Sequence, residues 1–143
     1  MRLTPMNWGP ALVGTAVFAA LSFVVPSVLA QPIANPVAML AGLDKITGRI
    51  TRFDVYIDET VLFGALEITP RACYSRPAND TLQRTSAFLE VDQRGLDGTA
   101  KRLFTGWMFA DSPGLNAVEH PIYDVWLKDC KQKSEVPPPD QRK

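Results

Sequence analysis

Apolar side chains alternate with polar ones in short runs along most of this chain, and Gly, Pro, Asn and Asp fill the gaps between the runs. A period of two marks strands, because successive side chains on a strand point to opposite faces. Ile50, Phe53, Val55 and Ile57 interleave with Asp54 and Tyr56, which predicts a half-buried strand closed by a turn at Asp58-Glu59-Thr60. The next run, from Val61 to Thr69, contains Gly64, expected as a bulge. Pro70 then predicts an interrupted ladder, with residues 71–74 at an edge or beyond a bend. Residues 75–84 are polar and read as a loop, and residues 85–91 as a strand. Residues 92–99 form a hairpin connection with Asp97-Gly98 as its tight turn. Residues 102–110 (RLFTGWMFA) are the most hydrophobic stretch of the β region, followed by a turn at Asp111-Ser112-Pro113-Gly114. Residues 115–120 read as a short helix or a loop. Residues 122–130 give a last strand with Tyr123, Val125 and Leu127 on one face and Trp126 on the other. About six short strands with turns between them make an all-β fold, a small antiparallel sandwich or barrel.

The beginning of the chain has another texture. Residues 1–30 hold a single charged side chain, Arg2, and residues 11–25 (ALVGTAVFAALSFVV) are apolar or small throughout. Pro26 ends any helix, and Val28-Leu29-Ala30 presents small to medium side chains before Gln31. That order predicts a secretory signal peptide cleaved after Ala30. An uncleaved N-terminal membrane anchor is the rival reading, although the run falls short of the roughly 20 residues a membrane-spanning helix needs. No Cys lies at the cleavage point, which removes the lipoprotein reading. The chain thus divides into a signal peptide at 1–30, an extended segment at 31–41 docked through Val37, Met39 and Leu40, a β domain at 42–130, and a Pro-rich tail at 131–143 (KQKSEVPPPDQRK) expected to be disordered or polyproline. After cleavage no segment is apolar enough to be a transmembrane helix.

Export gives the two cysteines a meaning. An even count in an oxidising compartment reads as a disulfide, and Cys73 with Cys130 is the one intramolecular pairing available. The bridge would tie the end of an early strand to the end of the last. Its chain-entropy contribution is roughly 4 kcal/mol, comparable to the stability of a small domain. The functional rival is a reactive thiol, with Arg71, Lys128 and Lys131 near enough in sequence to lower its pKa.

Charge excludes some partners. Fifteen Lys and Arg balance fifteen Asp and Glu, and loss of Arg2 with the signal leaves fourteen against fifteen. A nucleic-acid binder would carry a basic surplus. Two cysteines and one histidine are too few for a Cys/His metal cluster, so no metal and no cofactor are expected.

The densest polar and aromatic cluster is residues 119–126 (EHPIYDVW). His120 and Asp124 form a candidate base and orienter, with Ser112 as nucleophile, a weak candidate because Ser112 lacks the strained elbow of a hydrolase. The bland reading is that His120 and Tyr123 hydrogen-bond a turn that positions the last strand. Asp111, Glu119, His120 and Asp124 are oxygen and nitrogen ligands without calcium-loop spacing, and surface carboxylates are the better reading. Glu67, Glu90, Asp92 and Asp124 are available for a glycosidase pair, whose separation sequence cannot place. In residues 102–110, Trp107 and Phe109 fall on one face and Phe104 and Met108 on the other. An apolar second face on such a strand is covered internally or by a partner, and Phe104, Trp107, Met108, Phe109, Tyr123 and Trp126 are the candidate partner-binding residues.

Three stretches carry a resemblance: LDKITG at 43–48 running into FGALEITPRACY at 63–74, TGWMFADSPG at 105–114, and EHPIYDVWLKDC at 119–130. Together they resemble the DUF2155 family, an exported alphaproteobacterial domain of unknown function. The resemblance implies cysteines recurring at the positions of Cys73 and Cys130, supplies no catalytic residues, and implies the periplasm as location. Its genes' association with an accessory subunit of respiratory complex I implies a partner at the inner membrane. The expectation is therefore a non-enzymatic periplasmic domain that binds another envelope protein, such as complex I on its periplasmic side. The alternative is a small envelope hydrolase or carbohydrate-binding protein acting on cell-wall material through His120, Tyr123 and Trp126.

Overall fold

The computed structural model describes residues 9, 31–82, 84–116, 118 and 120–142. The expected signal peptide, or uncleaved anchor, falls outside the described residues except for Gly9. Among the described residues no helix is long and apolar enough to cross a membrane.

The strands in chain order are β1 (Ile33–Ala34), β2 (Val37–Asp44), β3 (Arg49–Tyr56), β4 (Val61–Phe63), β5 (Leu66–Ser75), β6 (Ser86–Arg94), β7 (Ala100–Phe109) and β8 (Tyr123–Lys131). All pairings are antiparallel. One sheet runs β1-β5-β6-β7, with β4 also paired to β5, and the other runs β3-β2-β8. Leu66, Ile68, Ala87, Leu89, Val91 and Met108 of the larger sheet pack against Ala38, Leu40, Val55, Val125 and Leu127 of the smaller. The two inner faces thus make one core, and the fold is an all-β antiparallel sandwich.

The disulfide Cys73–Cys130 joins β5 to β8, one sheet to the other, with Cα atoms 5.6 Å apart. Both sulfurs are committed, so the reactive-thiol reading is overturned.

Several elements depart from the sequence reading, each for a physical reason. The segment at 31–41 is extended and docked through Val37 and Leu40 as expected, but it belongs to the β domain, whose boundary at 42 is corrected: β2 is the middle strand of the smaller sheet, with Val37, Ala38, Leu40 and Ala41 buried. A central strand covered on both faces shows no alternation, which hides it from a period-two reading. Gly64 is not a bulge. It sits with Ala65 between the paired Phe63 and Leu66, a two-residue hairpin with Gly64 at φ +59°, a left-handed conformation that suits glycine. A Cβ there would also stand within van der Waals overlap of the Tyr123 ring. Pro70 interrupts the ladder as expected, although β5 continues past it to Ser75. The register shifts between Pro70 and Ala72, a bulge that absorbs the missing donor, and the Pro70 carbonyl accepts the Asp58 amide at 2.7 Å. Of the two readings of 115–120, a short helix or a loop, the described residues take the loop. The tail is not a free extension either: Gln132, Ser134, Val136 and Arg142 are hydrogen-bonded to the body of the domain.

Candidate functional site

The solvent face of the larger sheet is built by the register of β5, β6 and β7. Glu67, Asp92 and Arg102 lie in one row, Thr69, Glu90 and Thr105 in the next, and Phe88 beside Trp107 in a third. Arg71 donates to Asp58 and to Glu90, both at 2.9 Å. Arg102 pairs with Asp92 and lies 3.6 Å from Glu90, while Arg94 meets Glu67 at 2.8 Å. Hydrogen bonds donated to Asp58 and Glu90 push the Arg71 pKa up, and the one donated to Asp92 does the same for Arg102. Every arginine here has an acidic partner, so the lattice carries little net field. Water-facing pairs of this kind contribute little stability.

Beyond the charges lies an aromatic cluster. The Trp107 ring stacks on Tyr74, with centroids 5.9 Å apart at 29°, and meets Phe88 edge-on at 5.5 Å and 75°. Trp107 is 38% and Tyr74 37% exposed, so two large rings stand in water. Alongside, Pro32, Tyr74, Arg76, Arg84, Ser86 and Phe109 line a cavity of about 230 Å³. Asn116 donates to the Trp107 carbonyl at 2.7 Å and ties the following loop to the free edge of β7. Tyr74 and Phe88 were missing from the sequence reading. Tyr74 follows the inward Cys73 and must point outward, which was a usable signal; its meeting with Trp107 depends on pairing across β6.

The six candidate partner residues do not form one surface. Met108 is 2% exposed and belongs to the core, and Phe104 and Tyr123 pack against that core. They are corrected from partner residues to packing residues: β7 turns Phe104 and Met108 toward the smaller sheet, and Tyr123, at the start of β8, packs against the same core from the other side. Trp107 and Phe109 stay on the outer face. Trp126 lies on the outside of the other sheet, in a row with Ala41 and Arg52. There it lines a groove with Pro113, Gly114 and Asp124.

The catalytic candidates are drawn apart. His120 is buried, and its Nδ1 accepts the amides of Ile122 and Tyr123, both at 3.1 Å. That lone pair holds the turn before β8 and is not available as a base. Asp124 pairs instead with Lys45 at 2.7 Å, and the same ammonium donates to the His120 carbonyl at 2.9 Å. Ser112 sits exposed in its turn, its amide bonded to the Phe109 carbonyl. Among the described residues no side-chain hydrogen bond links Ser112, His120 and Asp124. His120 stacks on Tyr123 at 5.3 Å inside the domain, so His120, Tyr123 and Trp126 assemble no sugar platform. Glu67, Glu90 and Asp92 are each held by arginine. Glu119 lies outside the described residues, among which no group of three metal-ligating side chains occurs.

A family model described as "Uncharacterized protein conserved in bacteria (DUF2155)" matches residues 38–130. The chain is 30% identical over 93 residues to Uncharacterized protein RP359 of Rickettsia prowazekii (strain Madrid E), covering 64% of this chain and 58% of that protein. The matched part thus spans less than two thirds of that relative's length. No solved structure matches the chain.

Proposed function

We propose a function from one premise: the chain belongs to the DUF2155 family of bacterial proteins. Our reading is a non-enzymatic, exported β domain that binds another envelope protein through the outer face of its larger sheet. The observation that carries it is the exposed pair Trp107 and Tyr74, backed by Phe88 and bordered by a charge-balanced lattice. Rigid aromatic anchors beside a polar rim are what interface cores use. The dispersal of Ser112, His120 and Asp124 favours binding over hydrolysis. For the host we propose an assembly on the periplasmic side of the inner membrane, such as respiratory complex I; its support is the family's gene association.

The test is affinity purification from native membranes in mild detergent, with native gels to ask whether the protein migrates with complex I. Trp107→Ala combined with Tyr74→Ala should release the protein from its host without unfolding it. Recovery of the unsubstituted protein only as a free monomer would count against the reading.

A further inference from the structure

The outer face of the smaller sheet carries a second site, which does not rest on the reading above. After β8 the chain turns back across it. Gln132 Nε2 donates to the Ala34 carbonyl at 3.0 Å and to Asn35 Oδ1 at 2.8 Å. Ser134 Oγ and Lys131 Nζ both donate to Asp54 Oδ2, at 2.6 and 2.8 Å. The chain has then crossed β2 and reached β3. Here the run Val136-Pro137-Pro138-Pro139 meets Tyr56, whose hydroxyl donates to the Val136 carbonyl at 2.7 Å. Pro138 has φ −58° and ψ 156°, a polyproline II backbone. One 3-10 turn, Pro139–Gln141, swings Arg142 back over this run. Arg142 Nε donates to the Pro137 carbonyl at 2.6 Å, and its guanidinium lies 5.9 Å from the Tyr56 ring centroid. Both terminal nitrogens reach the Glu59 carboxylate, one of them at 3.0 Å. Glu59 Oε2 also accepts the Tyr56 amide at 3.1 Å, and the Glu59 side chain is only 11% exposed.

These contacts share a logic. A polyproline II strand has no internal hydrogen bonds, so its carbonyls are free for a receptor, and its backbone loses little entropy on docking. An aromatic hydroxyl on a carbonyl, plus an acid that fixes an arginine beside the prolines, reads such a strand by shape and charge. With the tail in place the Glu59 carboxylate is largely covered and paired with the guanidinium, so charge and shape are matched together. None of the contacts requires the peptide to be tethered. We propose that Tyr56, Glu59 and Asp54 form a receptor site for a partner's proline-rich segment bearing an arginine three residues after its last proline, with this chain's own residues 134–142 as the resident competitor. Tethering gives that competitor an effective concentration of order millimolar, so a partner segment binds only when the tail lets go.

The experiment uses the full chain carrying Arg142→Ala, isotopically labelled, titrated with a peptide of residues 133–142 (KSEVPPPDQR). The expected result is release of the tail, with saturable shifts of the Tyr56 and Glu59 amides. The unsubstituted protein should bind the peptide at least about tenfold more weakly, since its site is occupied. A peptide with alanine in place of its arginine should not bind. A tail that stays docked without the guanidinium, a released tail with no peptide binding, or equal binding of the alanine peptide would each overturn the proposal.

Discussion

Phe63 lies flat against the Cα of Gly42, so close that a Cβ at Gly42 would stand 2.5 Å from the ring's Cζ. The ring has nowhere to go. Phe53 stacks on it at 5.6 Å and 18°, and Tyr123 meets it edge-on at 5.6 Å and 72°. Gly42 is buried in the middle strand of its sheet, between Thr51 and Val125. Gly42→Ala is predicted to destabilise by about 1–3 kcal/mol through overpacking. Phe63→Leu should also destabilise alone, yet the double variant should be less destabilised than the sum of the two. Additive losses in chemical denaturation would show that the ring does not set the limit.

Reduction of Cys73–Cys130 is predicted to lower stability by roughly 4 kcal/mol, as closing a loop of sequence separation 57 implies. Because the bridge crosses between sheets, its loss removes the covalent link between β5 and β8 rather than stiffening a single ladder. Denaturation midpoints with and without reductant measure this, and equal midpoints would refute it.

His120→Ala is predicted to cost about 1–3 kcal/mol, since the amides of Ile122 and Tyr123 lose their acceptor. His120→Asn, which keeps an acceptor near that place, should recover part of the loss. Partner capture per folded molecule should be unchanged in both. A folded His120→Ala protein that no longer captures its partner would assign the histidine a direct role in binding.

Acid should loosen the turn after β2. Amides of Thr47 and Ile46 donate to the Asp44 carboxylate, and with Arg49 nearby they hold its pKa below the ordinary value. A carboxylate depressed in the folded state stabilises the fold above its unfolded pKa, and that contribution disappears as pH falls through the folded value. The Ile46 and Thr47 amide resonances should therefore move between about pH 4 and more acid conditions. Asp44→Asn should abolish that movement, and a persistent transition in this variant would assign it to another group.

By itself the sequence determined where most strands run and which side chains oppose one another along each. Tyr123, Val125 and Leu127 are on one side and Trp126 on the other because a strand's period is local. It also determined the disulfide partners, since two cysteines in one chain allow one intramolecular pair. Only the tertiary structure decided which side of β7 became core. Met108 and Trp107 look equally apolar in sequence, and the smaller sheet happens to cover one and not the other. Pairing through β6 brought Tyr74 to Trp107, and packing of β2 between β3 and β8 made the end of the extended 31–41 segment part of a central strand. The tail's return to Tyr56 and Glu59 was equally hidden. Alternation states that two faces differ; which one meets the core, and which neighbours it meets, follows from hydrogen bonds and burial between residues far apart in the chain.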